Sequence, residues 1–185
     1  MRRIFLATIT LVQLAGCSGI QVNQDYAPGT RLDALQTFQW TTDTQPATGD
    51  LRIDNPLRDA RIRAAVERVL AGKGLTRSQD GTADFGIRYQ YSLRQKIESS
   101  GASSGIGFGF GRYSRHAGIA IGTGDSIREY DEVSLVIDFL EKDSEKLLWR
   151  GTGTQRFRQY DDPVKAESDI NNLVEKILEQ FPPRP

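Results

Sequence analysis

Ala83-Asp84-Phe85-Gly86-Ile87-Arg88-Tyr89-Gln90-Tyr91-Ser92-Leu93-Arg94-Gln95-Lys96-Ile97-Glu98 decides the fold. In an extended chain successive side chains point to opposite faces. Phe85, Ile87, Tyr89, Tyr91, Leu93 and Ile97 then share one face, and Asp84, Arg88, Gln90, Ser92, Arg94, Lys96 and Glu98 share the other. Alternation of this length predicts a long strand with one buried and one wet face, which favours antiparallel partners over a parallel sheet covered on both sides. Downstream, Tyr130–Leu140 puts Val133, Leu135, Ile137 and Phe139 together, Glu141–Lys146 reads as a polar turn, and Leu147–Phe157 is a further strand with Trp149 and Phe157.

Two helices flank these strands. Asn55-Pro56 supplies an N-cap residue and a proline at the first helical position, where its missing N–H is not needed. Ile62, Ala65, Val66, Val69 and Leu70 recur at helical spacing, Arg58, Arg61, Arg63 and Arg68 take the other side, and Gly72 and Gly74 end the run. Asp162-Pro163 repeats the opening signal, which explains the Asp161-Asp162 pair as capping. An apolar stripe of Ile170, Leu173, Val174, Ile177, Leu178 and Phe181 follows, stopped by Pro182-Pro183. A first strand is expected at Leu35–Trp40, and residues 41–54 read as loop. The order strand-helix-strand-strand-strand-helix predicts an α+β two-layer sandwich: a mainly antiparallel sheet of about four strands with two helices on one face. The second helix should lie over Phe85, Ile87, Tyr89 and Tyr91. Trp40 and Trp149 read as core or boundary residues.

The N-terminus carries a different message. Arg2 and Arg3 precede the apolar run Ile4–Leu14, and Leu14-Ala15-Gly16-Cys17 places small residues before a cysteine. A permanent membrane span needs about 20 apolar residues, so this run fits a cleaved signal. Cys17 is the only cysteine in the chain and stands where lipid attachment requires it. The expected division is a signal peptide at 1–16, cut between Gly16 and Cys17; an acylated cysteine and flexible tether at 17–30; and one domain at 31–185. Ser18 follows the cysteine where an aspartate would signal inner-membrane retention. The expected location is therefore the outer membrane, with the domain facing the periplasm.

Without residues 1–16 the chain keeps 169 of its 185 residues, with 22 basic and 24 acidic side chains. Near-neutrality argues against nucleic acid and against a polybasic membrane patch. A single cysteine permits no internal disulfide, so the core alone must hold the domain.

Between the two long strands, Gly101–Gly124 holds eight glycines in 24 residues, with Ile106, Phe108 and Phe110 alternating against glycine. The insert reads either as a mobile connection or as an apolar edge that meets a partner, with Phe108 and Phe110 as the contacts. Gly101-Ala102-Ser103-Ser104-Gly105 matches the G-x-S-x-G pattern of hydrolases. However, no helix pattern follows Ser103, and no acid separates it from His116, the one histidine. There is no phosphate loop or metal-ligand spacing, and no cofactor is implied. The expectation is a protein that is not an enzyme.

Several short motifs resemble a family. Asp25-Tyr26, Pro28-Gly29 and Phe38-Gln39-Trp40, together with Asn55-Pro56-Leu57, Lys73-Gly74-Leu75 and Ala83-Asp84-Phe85, look like the bacterial envelope lipoproteins of domain of unknown function 4136. Leu148-Trp149-Arg150-Gly151, Ile177-Leu178 and Phe181-Pro182-Pro183 match as well. Members commonly carry a glycine- and aromatic-rich insert, often with tryptophans where this chain has Ile106, Phe108 and Phe110. The resemblance implies a lipoprotein without an assigned activity. The functional expectation is a non-catalytic binding or assembly module, held to the bilayer through Cys17 and engaging another envelope protein. The alternative is a structural or stress-related lipoprotein without a specific ligand, and a hydrolase using Ser103 is the reading with least support.

Overall fold

The alternating stretch forms β4 (Phe85–Ser99), which pairs antiparallel along its whole length with β5 (Ile127–Glu141), from Phe85 opposite Glu141 to Ser99 opposite Ile127. β5 pairs antiparallel with β6 (Leu147–Arg156), the third expected strand. The computed structural model describes residues 19–79, 81–99 and 127–183. The expected signal peptide, Cys17 and the whole glycine-rich insert Gly101–Gly124 lie outside them.

The sheet is larger and more mixed than four antiparallel strands. β1 (Gln21–Tyr26), β2 (Thr37–Trp40) and the two-residue β3 (Thr76–Arg77) complete six strands in the order β1-β6-β5-β4-β2-β3. β2 runs parallel to both β4 and β3. The reason is the crossover: α1 (Pro56–Gly72) intervenes between β2 and its neighbours, and a helical crossover returns the chain in the same direction. β1 falls in the segment read as a flexible tether, yet it pairs antiparallel with β6 through all six residues. Its residues are mostly polar and mostly exposed because it is an edge strand, bonded on one side only.

Both helices begin as their caps dictate. The Asn55 side chain accepts from the Leu57 N–H at 2.8 Å and that of Asp162 accepts from the Val164 N–H at 2.9 Å, opening α1 and α2 (Pro163–Leu178). Gly74, at φ +86°, closes α1 and lets the Leu75 N–H reach back to the Leu70 carbonyl at 3.0 Å. The two helices lie side by side on one face, linked by Arg68 and Glu175 at 2.8 Å.

Helix placement differs from expectation. The stripe of α2 lies over β6, not over the Phe85–Tyr91 face of β4. A methyl group built on Gly153 would stand 2.7 Å from Ile177 and 2.8 Å from Leu173, and one on Gly151 would run into Trp149 and Ile177. Those two glycines let α2 settle against bare backbone. α1 takes β4 and β2: Trp40 donates to Glu67 at 2.7 Å, and Tyr89 donates to Asp59. One row of rings crosses the core from Phe38 through Phe85 and Phe139 to Trp149, with Phe181 set against the last two at 4.8 and 5.4 Å. Ring pairs of this kind contribute about 0.5–1.5 kcal/mol each beyond the area they bury. The apolar side of β4 outlasts the helices, however. Leu93 is half-buried, and Ile97 is 68% exposed.

Candidate functional site

With both helices on one face, no helix covers the other face of the sheet among the described residues. Its side chains follow from the register. Arg88, Asp138, Arg150 and Asp25 form one row, Gln90, Val136, Thr152 and Asn23 the next, and Ser92, Ser134, Thr154 and Gln21 the third. The first row is an ion ladder. Arg150 grips Asp138 with two bonds, at 2.6 and 2.8 Å, while Arg88 approaches from the other side at 3.1 Å. Asp138 is only 4% exposed although it points away from the helices, because the two guanidinium groups cover it. That hydrogen bond to Asp138 also holds the Arg150 cation above its ordinary range. Further along, Lys96 meets Glu132 at 2.8 Å, which raises the Lys96 ammonium, and Arg156 stacks over Tyr130 at 4.3 Å.

Residues 41–54 form a strap across the edge of β4 beyond the end of β2. Gln45 is the central fastening: its side-chain amide donates to the Tyr91 carbonyl at 3.0 Å and accepts from the Tyr91 N–H, standing in for a neighbouring strand. Thr41 bonds the Ile87 carbonyl at 3.0 Å, Arg63 reaches the Thr42 carbonyl at 2.8 Å, and Arg52 bridges Asp50 and Asp131 at 2.7 and 2.6 Å. The Asp50 hydrogen bond keeps the Arg52 guanidinium charged, and Arg52 in turn lowers the Asp50 carboxyl.

Two hollows adjoin this strap. One, about 250 Å³, lies between the strap and the start of α1, among Gln45, Ile53, Arg58, Asp59, Tyr89 and Tyr91. Burial, and then the bond to Asp59, push the Tyr89 phenol far up, and burial pushes Tyr91 up to about 12. The other is a groove of about 580 Å³ that opens onto the uncovered sheet face between Thr48, Asp50, Arg88, Gln90 and Ser92. It offers charged and hydrogen-bonding groups in a row and suits a polar surface or segment. No three His, Cys, Asp or Glu side chains gather as a metal site among the described residues, and no described helix is long and apolar enough to cross a membrane.

Of the residues singled out in the sequence, Gly16, Cys17, Ser103, His116, Phe108 and Phe110 all lie outside the described residues. The alternation of β4 does place Arg88, Gln90 and Arg94 on the wet face. Gln45 and the partnership of Arg88 with Asp138 and Arg150 were not legible. The loop around Gln45 has no periodicity, and the alternation of Tyr130–Leu140 does not say which side chains of neighbouring strands Asp138 meets.

A charge-laddered sheet face backed on its other side by two helices defines a small α+β domain. The chain belongs to the family described as Domain of unknown function (DUF4136), whose model matches residues 22–183. A solved member of that family from Bacteroides thetaiotaomicron VPI-5482 superposes with a TM-score of 0.52 at 14% identity, covering 89% of this chain and 96% of that one. A PDZ domain protein from Parabacteroides distasonis ATCC 8503 superposes with a TM-score of 0.51 at 12% identity. The match covers 90% of this chain but only 37% of that longer protein. A minor lipoprotein from Acinetobacter baumannii is similar at a TM-score of 0.39 and 13% identity over 80% of this chain and 92% of that one. No curated protein matches the sequence. At these identities the likeness concerns the fold alone.

Proposed function

We propose that this chain is a lipid-anchored lipoprotein of the bacterial cell envelope whose domain acts as a non-catalytic docking module. In this reading it is tethered to the outer membrane through acylated Cys17 and faces the periplasm. The observation that carries the reading is the lipobox Leu14-Ala15-Gly16-Cys17, which ends two residues before Gly19, where the described fold begins. The uncovered sheet face with its adjoining groove supports a partner-binding role. Phe108 and Phe110 are proposed as further partner contacts. The internal pairing of Arg88, Asp138 and Arg150 favours a second reading, a supporting lipoprotein without a specific ligand, since those charges already satisfy one another.

Crosslinking in membranes followed by affinity recovery separates the two. A docking module brings down one envelope protein in near-equal amount, and Phe108→Ser, Phe110→Ser reduces that recovery several-fold at unchanged melting temperature. Recovery of only scattered abundant neighbours contradicts the docking role. Undiminished recovery by the double variant removes the two phenylalanines from it.

A further inference from the structure

The six-stranded sheet ends in two edge strands, β1 and the two-residue β3. Register fixes which main-chain groups of β1 point outward. The Ala27 N–H donates to the Leu148 carbonyl at 3.1 Å, one step past the pairing of Tyr26 with Trp149. Hydrogen-bonded positions alternate along an antiparallel pair. Gln21, Asn23 and Asp25 therefore turn their main-chain groups toward β6, as Ala27 does, while Val22, Gln24 and Tyr26 turn theirs away from the sheet. Among the described residues no backbone group bonds those three from outside. Exposed edges are ordinarily guarded by proline, lysine or a bulge. β1 has no proline, no lysine and an unbroken register, and five of its six residues are exposed.

The strand also matches its own reverse. Val22, 39% exposed, and Tyr26, 43% exposed, lie on the helix side with Gln24, whose side chain accepts from Trp149 Nε1 at 3.0 Å. Gln21, Asn23 and Asp25 lie on the other side. When β1 is laid antiparallel on a second β1 about Gln24, Val22 faces Tyr26 of the second copy and Gln24 faces its own image. This is the one antiparallel register in which all three outward residues meet outward residues, so every N–H and C=O they carry finds a partner. A β-branched side chain beside an aromatic one is a favourable cross-strand pair. On the opposite side Asp25, the single charge of the strand, meets Asn23 of the second copy and not another carboxylate.

We infer that β1 is the contact of a two-fold homodimer, in which the sheets of two copies join edge to edge and cover Val22 and Tyr26. A second copy is the occupant because the strand complements itself in main-chain bonds, apolar pairs and charge, as an isologous contact requires. The faces that no helix covers then run on as one surface across the dimer. Neither the contact nor its test depends on lipid at Cys17.

The test uses the full-length protein in mild detergent, where light scattering combined with absorbance and refractive index gives polypeptide mass apart from bound detergent. A short edge contact associates weakly, so the mass is expected to rise from one chain toward two between about 1 and about 500 µM. Asn23 and Asp25 of the second copy form a non-hydrogen-bonded pair, the closer kind, with Cα atoms about 4.5 Å apart. Asn23→Asp sets a carboxylate against that aspartate at both symmetric places and should raise the midpoint concentration about ten-fold. Asn23→Lys sets an ammonium there and should lower it several-fold. Asn23 is exposed, so both variants are expected to keep the parent's circular dichroism. A one-chain mass for the parent throughout overturns the dimer. A two-chain mass whose midpoint neither substitution moves, or both move the same way, overturns β1 as the contact. A mass that climbs past two chains overturns the closed two-fold arrangement.

Discussion

At the scale of single residues, Asp84 does more than its place at the head of the long strand suggests. Its carboxylate accepts from the Gln36 and Thr37 N–H groups at 2.9 and 2.8 Å, while its own N–H donates to the Thr37 hydroxyl at 3.0 Å. It thereby pins the chain entering β2 to the start of β4. The two backbone bonds, that from Gln36 foremost, hold the carboxyl below its ordinary value. Asp54, which accepts from Thr48 and Gly49, and Asp50 beside Arg52 are lowered in the same sense. A carboxyl depressed in the folded state stabilises fully above its unfolded pKa, about 3.9, and that contribution disappears as pH falls through the lower folded value. Asp84→Asn is therefore expected to lower the urea midpoint at about pH 6, with the gap from the parent narrowing steadily below about pH 4. A gap that stays constant down to about pH 2 would show that the charge of Asp84 plays no part.

At the scale of elements, β4 and β5 hold together through their own alternation and fifteen paired positions on each strand. The fold should therefore not need the insert. Shortening a loop changes closure entropy by only about 0.6 kcal/mol per halving of its length, so replacing Gly101–Gly124 with an Asn-Gly turn should leave a folded domain whose melting temperature is unchanged or slightly raised. Loss of cooperative melting in that variant would mean that the insert is structural. The caps and stripes of both helices, and the three long strands, were legible because each rests on local spacing. β1 was not, since a polar edge strand bonded on one side has the composition of a linker. Nor was the docking of α2 on β6. Its determinants, Gly151 and Gly153, weaken a strand pattern locally and matter only through their distance from Ile177 and Leu173.

At the scale of the whole molecule, the same misreading of β1 changes the functional picture. A flexible tether of 14 residues would let the domain roam, whereas a fold in place by Gly19 would leave the proposed lipid on Cys17 little slack. Little of the candidate site could be read in advance. The wet face of β4 follows from period two, but the strap, the groove and the ion ladder depend on contacts between distant segments. The central claim is that lipid on Cys17 ties this end to a bilayer, and two or more acyl chains make release negligible at about 0.8 kcal/mol per buried methylene. Intact-mass analysis of the protein recovered from cell membranes, beside a Cys17→Ser variant, tests it most directly. The account predicts a chain that begins at Cys17 and carries diacylglycerol, while the variant is either an uncleaved precursor or absent from the membrane fraction. A lipid-free mature chain, or a Cys17→Ser protein that is processed and still firmly membrane-bound, would contradict it.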